Sequence, residues 1–449
     1  MPKSALWLIV AALFVPPQLP VRAQSSGWPH GGGFCLSDED CSLGGVCDNS
    51  TWTCSCDVWF TGENCRYLNL QRPLDTNAGT CGPQFDNYFS WGGRTVLPQP
   101  GTGGNYSAVV SFMCRHETLG AWTTASSDVR FTSPSPAGPY SWGAEQCDGE
   151  ICTPTVPPWA HYTVVIDNPL ADLSERFQIW HCGDSSADPK DWSPCYNSSE
   201  AGPGKWPPPA REREAGYSPL KYPPGSAAYV STAPTPSGPW TRWRNNSQIP
   251  LDFNGSWADP NSLANAMPVM LPNGTALLYF TDYTCPKGSG NLAPPCIAMG
   301  VSNSGWQGPY KVAANPITFP ESEDPSVFID PRGNFHLLTN VNTYHKRCSQ
   351  GVPCGGHAWS RDGISFSNLT IGAFGPVMTF ANGSIWQNAY VERPHVTLGS
   401  DGRPLAFYVG LGRNSYDDSC SWPQLFCTGA PGEMCGPTRL PPPTAGGSL

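Results

Sequence analysis

The chain has 449 residues, of which only 13% are Asp, Glu, Lys or Arg, and this excludes a coiled coil or a charged disordered tail. Its 50 Pro and 48 Gly interrupt the sequence too often for long helices but suit many short strands joined by turns. A formal net charge of −10 repels phosphate backbones and acidic headgroups, so no nucleic-acid partner is expected.

Residues 1–23 carry one early positive charge at Lys3, an apolar run Ala5–Val15, and small residues before a cleavage point near Ala23, the pattern of a signal peptide. The run is far shorter than the about 20 residues a bilayer span needs, and no second run of that length follows. The expected product has no transmembrane anchor and is secreted or lies in the lumen of the secretory pathway. In that oxidising compartment the 19 cysteines are expected to form disulfides rather than metal clusters, so no metal and no cofactor is predicted. Asn-X-Ser/Thr sequons at Asn49, Asn105, Asn197, Asn245, Asn254, Asn273, Asn368 and Asn382 are candidate glycosylation sites.

Residues 31–66 contain six cysteines, Cys35, Cys41, Cys47, Cys54, Cys56 and Cys65, spaced C-x5-C-x5-C-x6-C-x-C-x8-C among few apolar residues. Such a segment cannot bury a sufficient core, so covalent links must replace burial, although spacing alone does not choose the connectivity. The run from Cys54 to Cys65, with Trp59, Phe60 and Gly62, resembles the closing hairpin of an EGF-like domain. That resemblance implies the pairs Cys35–Cys47, Cys41–Cys54 and Cys56–Cys65. The acidic N-terminal pattern of calcium-binding EGF domains is absent. As a spacer or adhesion unit, the module implies a possible protein partner.

From about residue 80 the chain repeats an apolar strand, a Gly turn and a second strand dense in aromatic and β-branched residues. Hairpins are predicted over 265–280, 323–338 and 392–408, with turns at Asn273-Gly274, Arg332-Gly333 and Asp401-Gly402 that tolerate positive φ. A second element, a strand followed by Gly-Pro-aromatic, recurs at Gly138-Pro139-Tyr140, Gly238-Pro239-Trp240 and Gly308-Pro309-Tyr310. Two hairpins in series make a four-stranded blade, and blade starts fall near Phe89, Ala160, Asn265, Glu323 and Glu392. The predicted fold class is all-β: a five-bladed β-propeller over 82–435, preceded by the small disulfide-rich module, with a disordered tail at 436–449.

The segments Trp91–Gly93, Leu119–Trp122, Gly138–Tyr140, Gly238–Trp240, Pro272–Thr275, Glu323–Pro325, Gly355–Ala358, Ser360–Gly363 and Glu392–His395, taken in order, resemble those of five-bladed propeller glycosidases related to glycoside hydrolase family 43. The likeness runs over roughly residues 82–412. It implies hydrolysis of O-glycosyl bonds, with a carbohydrate as substrate. In those glycosidases one carboxylate acts as base, another tunes the acid, and a Glu on a third blade donates the proton. This chain departs from the pattern in its second blade, which offers His161-Tyr162 in place of an acidic or Asn-Pro motif.

Glycosidic cleavage needs two carboxyls, about 5–5.5 Å apart for retention or about 6.5–9.5 Å for inversion. Blade starts converge on one funnel, so the candidate catalytic residues are Asp324 and Glu323 first, then Asp86, Glu392 and Asp259. Candidate sugar-binding residues are Trp91, which stands beside Gly92-Gly93, with His161, Arg393, His395 and His357. Asp362, within Ser360–Phe366, sits in a segment that looks like the Asp-box turn of sialidases and is expected to be structural. Cys147–Cys152, Cys182–Cys195, Cys285–Cys296 and Cys348–Cys354 are possible loop staples, and the odd count of 13 cysteines beyond the module leaves at least one without an intrachain partner. No Gly-x-Ser-x-Gly elbow, His-Glu-x-x-His, phosphate loop or dinucleotide fingerprint occurs. Two readings stand: a glycoside hydrolase, or an inactive carbohydrate-binding or adhesion protein with the same funnel.

Overall fold

The computed structural model describes residues 30–74, 79–81, 88–99, 103–114, 127–142, 147–148, 151–152, 161–183, 227–245, 247–260, 262–285, 295–317, 322–341, 354–412 and 419–436. Among these the chain is all-β, with short 3-10 turns and no α-helix. No helix is long and apolar enough to cross a membrane. The signal segment, Asn197 and Cys195 lie outside the described residues.

Five antiparallel sheets follow one another along the chain, each built outward from its first strand. Sheet I comprises Tyr88–Val96, Tyr106–Cys114, Ser127–Ser133 and Ser141–Trp142. Sheet II comprises His161–Asp167, Phe177–Gly183, Ala227–Ala233 and Thr241–Arg242. Sheet III comprises Leu263–Met270, Ala276–Asp282, Cys296–Ser302 and Tyr310–Val312, with Leu251–Asp252 added parallel at its outer edge. Sheet IV comprises Ser322–Ile329, Phe335–Val341, Gly355–Ser360 and Thr370–Ile371. Sheet V comprises Tyr390–Leu398, Pro404–Gly412 and Ser419–Leu425.

The first strands of sheets I and II pack on each other, as do those of II and III, III and IV, IV and V, and V and I. Sheet V also receives the chain that precedes sheet I. Thr80 N–H donates to Ser421 O at 3.0 Å, and Cys81 is bonded to Cys420, across a sequence separation of 339. Between neighbouring sheets lie large buried side chains, such as Trp180 of sheet II against Trp306 in a turn of sheet III. Burying one such side chain contributes roughly 1.5–3 kcal/mol.

The expected turns are present for local reasons. Gly274, Gly333 and Gly402 take φ of 87°, 84° and 77°, values open to glycine at little cost. Each Gly-Pro-aromatic segment has a cis Gly–Pro bond and leads into the outermost strand of sheet I or II, or the fourth strand of sheet III. In the Asp362 turn, Ser360 Oγ donates to Asp362 Oδ1, which also accepts Ile364 N–H and Ser365 N–H, each at 2.8 Å. The Gly363 carbonyl accepts Tyr279 O–H at 2.7 Å, so this turn joins sheet IV to sheet III.

The N-terminal module is a three-stranded sheet, Gly31–Phe34, Thr53–Cys56 and Gly45–Asp48, closed by Cys35–Cys47, Cys41–Cys54 and Cys56–Cys65. It is seated on sheet IV. Arg332 crosses to Gly45 O and Leu43 O and pairs with Asp57, while Arg361 pairs with Glu39. The fully buried Phe60 ring packs against His336 and His357. Beyond the module, Leu70–Gln71 pairs with Cys435–Gly436, so the chain remains in a sheet through Gly436, the first residue of the expected tail.

Disulfides also form at Cys285–Cys296 and Cys427–Cys435, and Cys354 is disulfide-bonded. Cys182, expected to pair with Cys195, instead carries a buried free thiol, which burial pushes up to about 12. Cys147 and Cys152 face each other across a two-stranded ladder, but their side chains are outside the described residues. Asn49, Asn254, Asn273, Asn368 and Asn382 are exposed, as their sequons require.

Candidate functional site at the strand starts

Every first strand carries a register shift that opens within its first four residues: Trp91/Arg94, His161/Val164, Ala264/Met267, Glu323/Ser326 and Glu392/His395. An inserted residue of this kind bends a strand and re-aims its side chains. In four sheets the residue just after the shift begins has positive φ: Gly92 at 68°, Asn265 at 55°, Asp324 at 58° and Arg393 at 52°. Gly, Asn and Asp visit this region readily, whereas Arg pays roughly 1–3 kcal/mol and stays only where its surroundings hold it.

These equivalent positions meet one another. Asp324 Oδ1 accepts Asn265 Nδ2–H at 2.6 Å, and Asp324 Oδ2 accepts Arg393 N–H at 3.0 Å. Arg393 Nη1 donates to Trp91 O at 3.4 Å. A Cβ at Gly92 would stand 2.8 Å from Arg393 Cβ, so sheet I approaches sheet V there only because position 92 is Gly. Asp324 is 2% exposed and Arg393 7%, and the Asp324 amide is itself fixed by Thr281 Oγ1 at 3.1 Å. Asp324, ranked first as a catalytic carboxylate, is thus a buried tie between sheets III, IV and V.

The residues that open each shift stand at one common register position. Two are glutamates on neighbouring sheets. Glu323 is half-buried and accepts Tyr283 O–H at 2.9 Å and Asn340 Nδ2–H at 3.2 Å. Glu392 is buried, 8% exposed, and accepts Trp91 Nε1–H at 3.0 Å. Trp91, expected to stack on a sugar, is instead 5% exposed and spends its indole N–H on Glu392, so its ring offers no open platform.

The remaining candidates divide. Asp259 is half-buried in the turn before sheet III, with its amide donating to the fully buried Asp282 at 3.0 Å. His395 lies fully buried in the first strand of sheet V; burial, then Arg94 and Arg393, push it well below the usual imidazole range, so it is neutral. His357 is not near the strand starts of the site. It is buried beneath the N-terminal module, its Nε2 3.0 Å from His336 Nδ1, because Phe60 closes over both rings. Asp86 and the His161 side chain lie outside the described residues.

Sequence reasoning missed Asn265, Tyr283, Asn340 and Asp128. Asp128 is fully buried on the third strand of sheet I, where burial pushes its carboxyl well above the usual range and Arg393 pulls it back. The available signal was the αL-tolerant Gly, Asn or Asp just inside three strand starts. Tyr283 and Asn340 follow or end second strands, and nothing in their local sequence marks them.

No family model matches the chain, and no curated protein matches it. Among solved structures, a thermostable family-43 glycoside hydrolase matches at 12% identity, covering 79% of this chain and 96% of its own, with a TM-score of 0.44. A family 117 glycoside hydrolase produced by the marine bacterium Zobellia galactanivorans matches at 13%, covering 80% and 89%, with a TM-score of 0.44. An α-L-arabinofuranosidase from Lactobacillus brevis matches at 10%, covering 81% and 98%, with a TM-score of 0.42.

At the opposite ends of the same first strands lies a cavity of about 320 Å³, lined by residues of all five, among them Val96, Val165, Val269, Val327 and Leu398. It is predominantly apolar and holds none of the candidate carboxylates.

Proposed function

We propose that the chain is a secreted glycoside hydrolase-like protein, its five sheets forming the blades of a five-bladed propeller and its acidic strand starts forming the glycan site. Support for the propeller is the cyclic packing of the first strands and the return of the chain before sheet I onto sheet V. Support for export is the N-terminal segment and the disulfides. The proposed division is an EGF-like module at 31–66 and the propeller over 82–435.

The observation that carries the catalytic reading is the common register of Glu323 and Glu392 on adjacent sheets, where Glu323 accepts from Tyr283 and Asn340 and Glu392 accepts from Trp91. Acid–base cleavage of a glycosidic bond requires two carboxyls, and the reading assigns them to these two strand starts. Asp324 positions them through the bulges it ties. The test is hydrolysis of aryl glycosides and of plant and algal polysaccharides by the full chain. Glu323→Gln and Glu392→Gln are expected to abolish turnover, with folding intact by circular dichroism. Full activity in either variant removes that residue from the reaction.

A second reading, glycan binding without hydrolysis, is favoured by one feature: Ala264 stands in sheet III where sheets IV and V have glutamates. Retention of a polysaccharide with no release of reducing ends over the whole panel would select it.

A further inference from the structure

The N-terminal module turns one face to sheet IV and leaves another apolar. Of the large hydrophobic side chains exposed among the described residues, Phe34, Leu36, Val46, Trp52 and Val58 all fall in this short segment. Four of them stand at 61%, 65%, 47% and 48% exposure respectively, Phe34, Leu36, Val46 and Trp52. Strand register gathers them. Phe34 lies opposite Thr53, Thr53 opposite Asp48, and Val46 opposite Ser55, so Phe34 and Val46 share the outward face. The Cys35 amide donates to Trp52 O at 3.0 Å, which sets Trp52 beside Phe34 and Leu36. Disulfides hold this face rigid from behind, so little ordering entropy would be lost when it is covered.

Its surroundings carry one sign of charge. Asp40 Oδ2 accepts the amides of Leu36 and Ser37, Asp38 Oδ1 accepts that of Cys47, and Asp48 is exposed in the same row as Phe34. Residues 31–66 contain no Lys and a single Arg, Arg66, near His357 on the sheet IV side. A second copy would bring the same carboxylates together, and an anionic lipid surface would be repelled in the same way. We infer that this face binds a protein partner whose contacting segment is apolar and flanked by Lys or Arg. Trp52 and Phe34 are its anchors, and Asp40 and Asp48 supply the steering charge.

The test uses the full chain and three synthetic peptides of equal length: Leu/Trp with Lys, Leu/Trp with Glu, and Ser with Lys. Only the first is expected to bind well, with affinity falling tenfold or more in Trp52→Ser with Phe34→Ser, and severalfold in Asp40→Asn with Asp48→Asn or in high salt. These are exposed positions, so the fold, checked by circular dichroism, should be retained. Equal binding of all three peptides, or binding unchanged in Trp52→Ser with Phe34→Ser, overturns the inference. So does self-association in sedimentation, or adsorption to phosphatidylcholine vesicles, that the same double variant abolishes.

Discussion

Replacing Asp324 by Ala removes the acceptor on which strands from three sheets converge. Two donors are aimed at that carboxylate, Asn265 Nδ2 at 2.6 Å and Arg393 N at 3.0 Å, in a site 2% exposed. Leaving a buried donor without its acceptor costs roughly 1–3 kcal/mol, so two of them put the loss at about 3–5 kcal/mol. Arg393 adds to this, because its positive φ was held in part by the same bond. Asp324→Asn keeps one acceptor and tolerates the left-handed backbone, and Asn265 can turn its amide oxygen toward the new amide; its cost should be about 1–2 kcal/mol. The measurement is urea unfolding followed by tryptophan fluorescence, with the change in stability taken from the midpoint shift at constant m. A loss below about 0.5 kcal/mol in Asp324→Ala, or equal losses in the two variants, would refute the tie and return Asp324 to the ranks of accessible carboxylates.

Three further outcomes are expected. Burial, with Arg242 adding to it, pushes His181 down to about 3; the unfolded imidazole takes up a proton first, so stability falls as pH drops below about 6.5, by up to about 1.4 kcal/mol per pH unit until about 3. Stability–pH curves of wild type and His181→Gln that run parallel over that window would contradict this. Phe60→Ala should empty the contact over His336 and His357 at a cost of about 3–5 kcal/mol and expose the Arg66 bond to trypsin before the rest of the chain unfolds; simultaneous loss of both regions would speak against a separable module. If Glu323 reacts, Tyr283→Phe, which removes the hydroxyl donated at 2.9 Å, should lower kcat/KM about tenfold while unfolding midpoints stay put, and unchanged kinetics would show that this bond is not used.

Much of the architecture was legible because its signals are local. Asn273-Gly274, Arg332-Gly333 and Asp401-Gly402 mark hairpins through backbone preference alone, and each is flanked by paired strands. The site was only half legible. Acidic residues at strand starts drew attention to Glu323, Asp324 and Glu392, but not to how they differ: one residue of register separates the buried tie from the half-buried Glu323. His357 shows the same limit from the other side. Its neighbours in sequence read like a strand in any blade, and its fate was decided by Phe60, almost 300 residues away in the chain.

The amino-acid sequence by itself determined the short strands, their turns, the disulfide-rich segment and the acidic character of the strand starts, since each follows from backbone preference or composition within a few residues. Which carboxylate is buried, which stays reachable, and which face of the module is left uncovered were decided only when distant strands packed. Burial and hydrogen-bond partners belong to the packed sheets together, as Asp324 demonstrates by answering to Asn265, Thr281 and Arg393 at once.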